Sequence, residues 1–312
     1  MIRKILKYLG FFFIGLILLV LGFLAYNYHA DIPMEALKTK HTNEYSKFIE
    51  IEGMPVHYQR KGKGHPLVLV HGFSGHVWNW RGWMEHLADD YELIAMDLPG
   101  FGLTGPRPDK DYSMEANIAF LDKFLTKIGI DSFHLAGNSM GGGIAWNYAL
   151  AHPNSVKKLI LIDAGGYVKK NKETIAGFKI LRYPIFHPLI TKITPRFIIK
   201  KSLEGTYVDQ SFASEPEVDR YMDMIRRAGN RQVLLDRMKI PRKNRSESIK
   251  NIQHPTLILW GDKDIIISVE NAKLFHRDIK NSELIIYENV GHIPMDEVGE
   301  QSAKDVKMFL EK

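Results

Sequence analysis

Hydrophobic and polar positions divide the chain into three stretches of different rhythm. Tyr8 to Tyr26 (YLGFFFIGLILLVLGFLAY) is a run of 19 residues without a charge. As a helix it reaches roughly 28 Å, close to the ~30 Å hydrocarbon core of a bilayer. Apolar side chains circle every face, so the run predicts a membrane span rather than a soluble helix with one buried stripe. Asn27 to about Lys47 is polar, carries Pro33 and several charges, and predicts a tether. From Phe48 onward, apolar runs of strand length alternate with segments of helical spacing.

Phe48-Ile-Glu-Ile-Glu-Gly-Met-Pro-Val-His-Tyr58 alternates and breaks at Glu52-Gly53, which predicts a hairpin. Pro66-Leu-Val-Leu-Val-His-Gly72 is a continuous apolar run, as expected of a central strand buried on both faces. Leu93 to Leu98, Ser132 to Ala136, Lys158 to Asp163, Pro255 to Trp260 and Glu283 to Tyr287 read as further strands. Asn117 to Ile128 places Ile118, Leu121, Phe124, Leu125 and Ile128 at helical spacing, and Ile144 to Ala151 is a good helix former. This alternation predicts an α/β protein with a mostly parallel, doubly wound sheet. Tyr167 to Ile252 interrupts it. That stretch has no β run, and its Phe178, Leu181, Phe186, Leu189, Tyr221, Ile225 and Leu235 predict short amphipathic helices, a helical cap set into the core. The expected boundaries are an anchor over 1–27, a tether over 28–47, a core over 48–166 and 253–312, and a cap over 167–252.

Composition adds three constraints. The chain has no cysteine, which excludes thiol catalysis, disulfides and cysteine-ligated metals. Arg3, Lys4 and Lys7 precede the apolar run, so the positive-inside rule places the N-terminus in the cytoplasm and the rest across the membrane. A cleavable signal peptide competes with this. Its cleavage sites fit poorly, since Ala25 has Phe23 two residues before it and Ala30 has Tyr28. A retained single-pass anchor is expected, with the remaining chain on the periplasmic or extracytoplasmic side; cleavage would instead make the protein secreted. The formal charge of +6 is uneven: residues 167–252 hold 19 Lys/Arg against 9 Asp/Glu, a net +10, leaving −4 elsewhere. Two readings stay open for the basic cap, a solvated helical surface or a face turned to a membrane or an acidic substrate.

The candidate chemistry centres on Gly137-Asn138-Ser139-Met140-Gly141, a match to G-x-S-x-G between a predicted strand and a predicted helix. In a nucleophile elbow the serine occupies a strained strand-to-helix turn, and flanking glycines admit backbone where a Cβ would clash. The helix that follows aims its N–H groups at the serine and favours developing negative charge. Glycine and serine also crowd ordinary turns, so the pattern needs company. His71-Gly72 closes a strand, Asp97-Leu-Pro-Gly-Phe-Gly-Leu-Thr104 follows another, and Trp260-Gly-Asp-Lys-Asp264 and Gly291-His292 each follow one further on.

On these separated motifs, residues 48–312 resemble the α/β-hydrolases. The resemblance implies a triad in chain order Ser, Asp/Glu, His, carried here by Ser139, Asp264 and His292. His292 would be the base, Asp264 would orient its imidazole, and the backbone N–H groups of Phe73 and Met140 would form the oxyanion hole. Asp262 is a rival acid for which a turn role suffices. Asp97 and Asp163 end strands outside the acid loop. Trp78, Trp80 and Trp83 either line a pocket or simply pack. The resemblance implies no metal or organic cofactor, and nothing points to nucleic acid.

Serine at 139 argues against haloalkane dehalogenases and epoxide hydrolases, whose elbows carry aspartate. The elbow is similar to that of carbon–carbon hydrolases of ring meta-cleavage products, but those typically place an aromatic residue after the histidine, and this chain has Ile293. An apolar anchor with a His71-Gly72-Phe73-Ser74 loop is similar to membrane-anchored relatives of monoacylglycerol lipases. A lipase or carboxylesterase acting on lipid-like esters is therefore expected, with a carbon–carbon hydrolase and a non-catalytic binding module as alternatives.

Overall fold

The computed structural model describes residues 1–167, 183–241 and 243–312. Eight strands follow in chain order: β1 (Ser46–Ile51), β2 (Met54–Lys61), β3 (His65–Val70), β4 (Tyr91–Met96), β5 (Phe133–Asn138), β6 (Val156–Ile162), β7 (Thr256–Gly261) and β8 (Ser282–Tyr287). They form one sheet in the order β1-β2-β4-β3-β5-β6-β7-β8. Antiparallel pairing is confined to the β1–β2 and β2–β4 contacts, and the other neighbours run parallel. The expected hairpin is present, with Glu52 and Gly53 both at positive φ as a two-residue turn demands.

The central strands are apolar without a break because each face is covered. In β3, Leu67 and Leu69 join one core layer while Val68 and Val70 join the other. In β7, Leu257 and Leu259 part from Ile258 and Trp260 in the same way. One layer holds the helices Met114–Lys127, Met140–Ala151 and Glu270–Asp278, through Phe120, Phe124, Ile144 and Phe275. The opposite layer holds Trp80, Trp83 and the helix Gly299–Glu311, through Val306 and Phe309. Trp80 and Trp83 are thus core residues, and Trp83 Nε1 donates to Ser302 Oγ at 2.9 Å. Trp78 packs under the Arg220 guanidinium. The helix expected from Asn117 begins at Met114 because the Ser113 side chain accepts from Ala116 N–H at 3.1 Å, and it ends before Gly129 at φ 74°.

Between β6 and β7 the described residues are helical, with Arg196–Glu204, Glu215–Arg226 and Asn230–Met238 as the main elements. Of the apolar residues expected to face inward, Tyr221 and Leu235 are buried, whereas Phe186 and Leu189 are exposed; Phe178 and Leu181 lie outside the described residues. The apolar run is a helix, Ile2–Tyr26, with no buried residue.

The segment expected to be a tether is instead a strap bound to the cap. Its polar residues have partners there that the local pattern does not reveal. His29 N–H donates to Lys192 O at 2.9 Å, Ile32 N–H to Arg226 O at 2.8 Å, and Ala228 N–H to Ile32 O at 2.9 Å. Asp31 pairs with Lys192 and Arg231 at 2.9 and 2.6 Å. A short helix, Met34–His41, follows; it buries Leu37 against Leu103 and Met224, and its His41 and Lys40 meet Asp223 at 2.8 and 2.6 Å.

Removing residues 1–26 leaves these contacts whole, and removing residues 1–41 strips them. Hydrogen exchange over Glu215–Met238 should therefore be near full-length protection in the shorter truncation and clearly faster in the longer one. Leu37→Ala alone should lower stability by about 2–3 kcal/mol, measured by denaturant unfolding.

Candidate active site

Ser139 sits between the last residue of β5 and the helix Met140–Ala151, at φ 55°, ψ −117°. Few residues adopt this geometry unless their surroundings hold it. Ser139 N–H donates to Ile162 O at 3.0 Å, and Ser139 O accepts from Gly165 N–H at 2.8 Å. The helix start lies so close to β3 that a Cβ on Gly141 would collide with the carbonyls of Val70 and His71, and one on Gly72 would press on Ser139 Cβ. The backbone after β3 is thereby brought against the serine. The N–H groups of Phe73 and Met140 have no hydrogen-bond partner among the described residues.

A buried polar group holds that loop. His71 Nδ1 donates to Gly72 O at 2.7 Å while its Nε2 accepts from Leu98 N–H at 3.0 Å, an arrangement that uses the neutral imidazole. Burial lowers the His71 pKa, which favours the same form. Asp97 accepts from Val77 N–H, Leu103 N–H and His57 Nδ1 at 2.8, 2.9 and 2.7 Å. Burial pushes its carboxyl up, but His57, His71 and the Leu103 N–H outweigh that and hold it below the usual range. Asp97 is therefore a brace for the turns around the site.

Asp264 and His292, from the loops after β7 and β8, meet at 2.7 Å between Asp264 Oδ2 and His292 Nδ1. Asp264 Oδ1 accepts from Ile266 and Ile267 N–H at 2.7 and 2.9 Å, and both side chains are buried. The rival Asp262 accepts from Asn289 N–H at 2.6 Å and pairs with Lys263 at 2.7 Å, a turn role away from the imidazole. Asn138, beside the serine, donates from Nδ2 to His292 O at 3.0 Å. The structure thus gathers the histidine loop onto the elbow.

Four residues near the site make contacts that no local signal in the sequence reveals. Asn138 is one. Glu297 accepts from Gly291 N–H at 2.8 Å through one oxygen, and from Val208 and Asp209 N–H at 2.7 and 2.6 Å through the other. His292 N–H donates to Thr206 O at 2.7 Å, so the histidine loop and the cap share two ties. Arg237, on the cap helix Asn230–Met238, reaches Met140 Sδ at 2.8 Å and lies over the rings of Phe73 and Phe101. Asp163, just past β6, brings a carboxylate oxygen within 4.8 Å of the facing Asp264 and His292 atoms. Only chain topology places these together.

Comparison with known proteins fits this geometry. A family model described as the alpha/beta hydrolase fold matches residues 65–183. Lipase 1 of Psychrobacter immobilis is 30% identical over 260 residues, which cover 79% of this chain and 77% of the relative. The chain belongs to the α/β-hydrolase family. The hydrolase is also similar to a membrane phospholipase A of known structure, described as a bacterial virulence factor, at 27% identity and TM-score 0.73, covering 100% of this chain and 98% of that one. A 2-hydroxy-6-oxo-6-(2'-aminophenyl)hexa-2,4-dienoic acid hydrolase of Metapseudomonas resinovorans is 28% identical over 289 residues, 89% of this chain and 95% of the relative. Relatives named as lipases, at 30% and 29% identity, support ester hydrolysis by this fold.

Below the histidine loop, the hydrolase ties its cap to its core through Arg81, which meets Glu217 of the cap and Asp296 of the core at 2.9 and 2.7 Å. Tyr207 OH also donates to Asp296 at 2.9 Å. Burial pushes the Asp296 carboxyl up to about 6 despite Arg81. Asp296 therefore binds a proton more tightly folded than unfolded, so its stabilising contribution is full below about pH 4 and is lost as pH rises through 6. Asp296→Asn removes that titration. Its melting temperature should fall less than that of wild type between pH 4 and 7, by differential scanning fluorimetry across that range.

Proposed function

We propose that the hydrolase cleaves carboxylic esters of lipid-like substrates, monoacylglycerols among them, through an acyl-enzyme on Ser139. The observation that carries this is the buried Asp264–His292 pair tied to a positive-φ serine elbow. Ser139 Oγ attacks the ester carbonyl and its proton passes to His292 Nε2. Asp264 holds Nδ1–H and stabilises the imidazolium that results. The negative oxygen of the tetrahedral intermediate accepts from Phe73 and Met140 N–H, with the helix N-terminus behind Met140. Collapse expels the alcohol, which takes the proton from His292. Water, activated by the same base, then releases the acid and restores the serine.

A lipid-like substrate is supported by the surroundings of the site. The helix Ile2–Tyr26 is long and apolar enough to cross a bilayer. Close to its end, the strap at Tyr28 pairs with the cap at Ile193. Nearby cap residues Ile185, Phe197 and Ile198 expose large apolar side chains, with the exposed Lys201 close by in sequence. Exposed apolar side chains beside an exposed cation suit an anionic lipid surface. Not all cap cations are available for this role, because Arg227 is buried and Lys200 pairs with Glu215 at 2.6 Å. Carbon–carbon cleavage is the second reading, favoured by the similarity to the Metapseudomonas resinovorans hydrolase. Ile293 after the base and the apolar helix favour the ester reading.

A fluorophosphonate probe should label wild type and not Ser139→Ala; equal labelling would remove Ser139 from the mechanism. Asp264→Asn should lower kcat/KM by about 10³–10⁴, as loss of the correct tautomer does, while Asp262→Asn changes it little. p-Nitrophenyl esters of graded chain length, a monoacylglycerol and a meta-cleavage product assayed side by side separate the two readings. Protein lacking residues 1–26 should bind anionic vesicles at low salt, and Phe197→Ser with Lys201→Glu should release it without changing hydrolysis of a short soluble ester.

A further inference from the structure

Asp163 has no part in the mechanism above, yet it is fully buried beside the acid and the base. Its backbone is fixed: φ is 43°, and its N–H donates to Leu259 O at 3.0 Å. Oδ1 accepts from Gly261 N–H at 3.2 Å, and the buried Oδ2 meets no donor among the described residues. One oxygen of Asp163, one of Asp264 and a ring nitrogen of His292 all lie within 4.8 Å of one another. Two carboxylates this close and this dry cannot both be charged, so the pair keeps a proton.

The hydrogen bonds say which partner keeps it. Asp264 accepts from three donors, the two N–H groups of Ile266 and Ile267 and the His292 imidazole. Asp163 accepts from one. Donors stabilise the ionised form, so the charge settles on Asp264 and the proton on Asp163. We propose that Asp163 is a positioning residue for Asp264: it carries the proton of this buried carboxyl pair and donates it to Asp264 as a hydrogen bond. The inference rests on the reading of Asp264 and His292 as acid and base.

Other charged and titratable groups around Asp163 agree with this assignment. Burial first, then the Asp264 charge, push its carboxyl well above the usual range, and Glu297 pushes the same way against the Gly261 N–H. Tyr287 stands near as a neutral phenol whose OH is given to Asp305 at 2.9 Å. The consequence falls on His292. Two negative charges under the imidazole would favour its protonated form over the free base. One charge, shared with a neutral acid, leaves the base available and keeps the Asp264 carboxylate in the plane that Nδ1–H needs.

The test is the pH dependence of kcat/KM. Asp163→Asn keeps the shape and an N–H donor without charge, so its acid limb should coincide with wild type and its rate stay within about threefold. An acid limb displaced to lower pH by about one unit would mean that a negative charge had been removed, and would overturn the proposal. Asp163→Leu keeps the volume and loses the donor. Its acid limb should move to higher pH, because Asp264 then acts on the imidazole untempered, with a rate loss of about tenfold. An unmoved limb at wild-type rate in this variant would overturn the proposal.

Infrared difference spectra of the intact enzyme give an answer that needs no folded leucine variant. Wild type at neutral pH should show a protonated-carboxyl C=O band that Asp163→Asn lacks, and absence of that band in wild type overturns the assignment. The underlying mechanism is tested separately. Full activity in Asp264→Asn would refute the acid–base reading while leaving the protonation of Asp163 to its own measurement.

Discussion

A serine held at φ 55° between a strand and a helix is the constraint on which the rest of the site depends. That conformation is unfavourable by about 1–3 kcal/mol and persists only when neighbours over-determine it. Here β6 supplies one tie, through Ile162 O, and the residues just past β6 supply another, through Gly165 N–H. The pairing of Asn138 with Ile162 sets the register in which both bonds close. Gly72 and Gly141 then let β3 and the helix approach from the other side. The sheet order β3-β5-β6-β7-β8 is thus a requirement of the site as well as of the core: each neighbour of β5 delivers one part.

The core strands and the elbow were legible in the sequence because their signals are local. A strand covered on both faces shows as an unbroken apolar run, and the elbow is five consecutive residues. The contact between Asp264 and His292 was readable only through family resemblance, since nothing near either names its partner. The strap was misread for a related reason. Asp31, Lys40 and His41 look solvated in sequence, but their partners Lys192, Arg231 and Asp223 lie more than 150 positions away. Asn138, Asp163 and Glu297 share this fate. Their contacts join loops that only the topology brings together.

Residue types alone do not make a site, and the molecule contains the comparison. Ser46 Oγ, His57 and Asp97 form a second line of serine, histidine and aspartate, with His57 Nε2 to Ser46 Oγ at 3.1 Å and Nδ1 to Asp97 at 2.7 Å. Ser46 lies at the start of an edge strand, with no helix N-terminus behind it, and its Oγ already accepts from Asn43 N–H at 3.2 Å. Asp97 is committed to Val77 and Leu103. This line braces the β1–β2 edge against the turn after β4. What separates it from Ser139 is the surrounding backbone, a positive-φ turn that opens directly into the helix Met140–Ala151.

Glu297 reaches the histidine loop with one oxygen and the cap backbone at Val208 and Asp209 with the other, while Thr206 O receives the His292 N–H. The cap is therefore not an interchangeable part. Grafting a cap from another hydrolase onto this core would remove these ties, and a chimera joined at the sheet would inherit an intact elbow with an unsupported His292 loop. Residues 206–209 are the joint through which the cap and the histidine loop are held together.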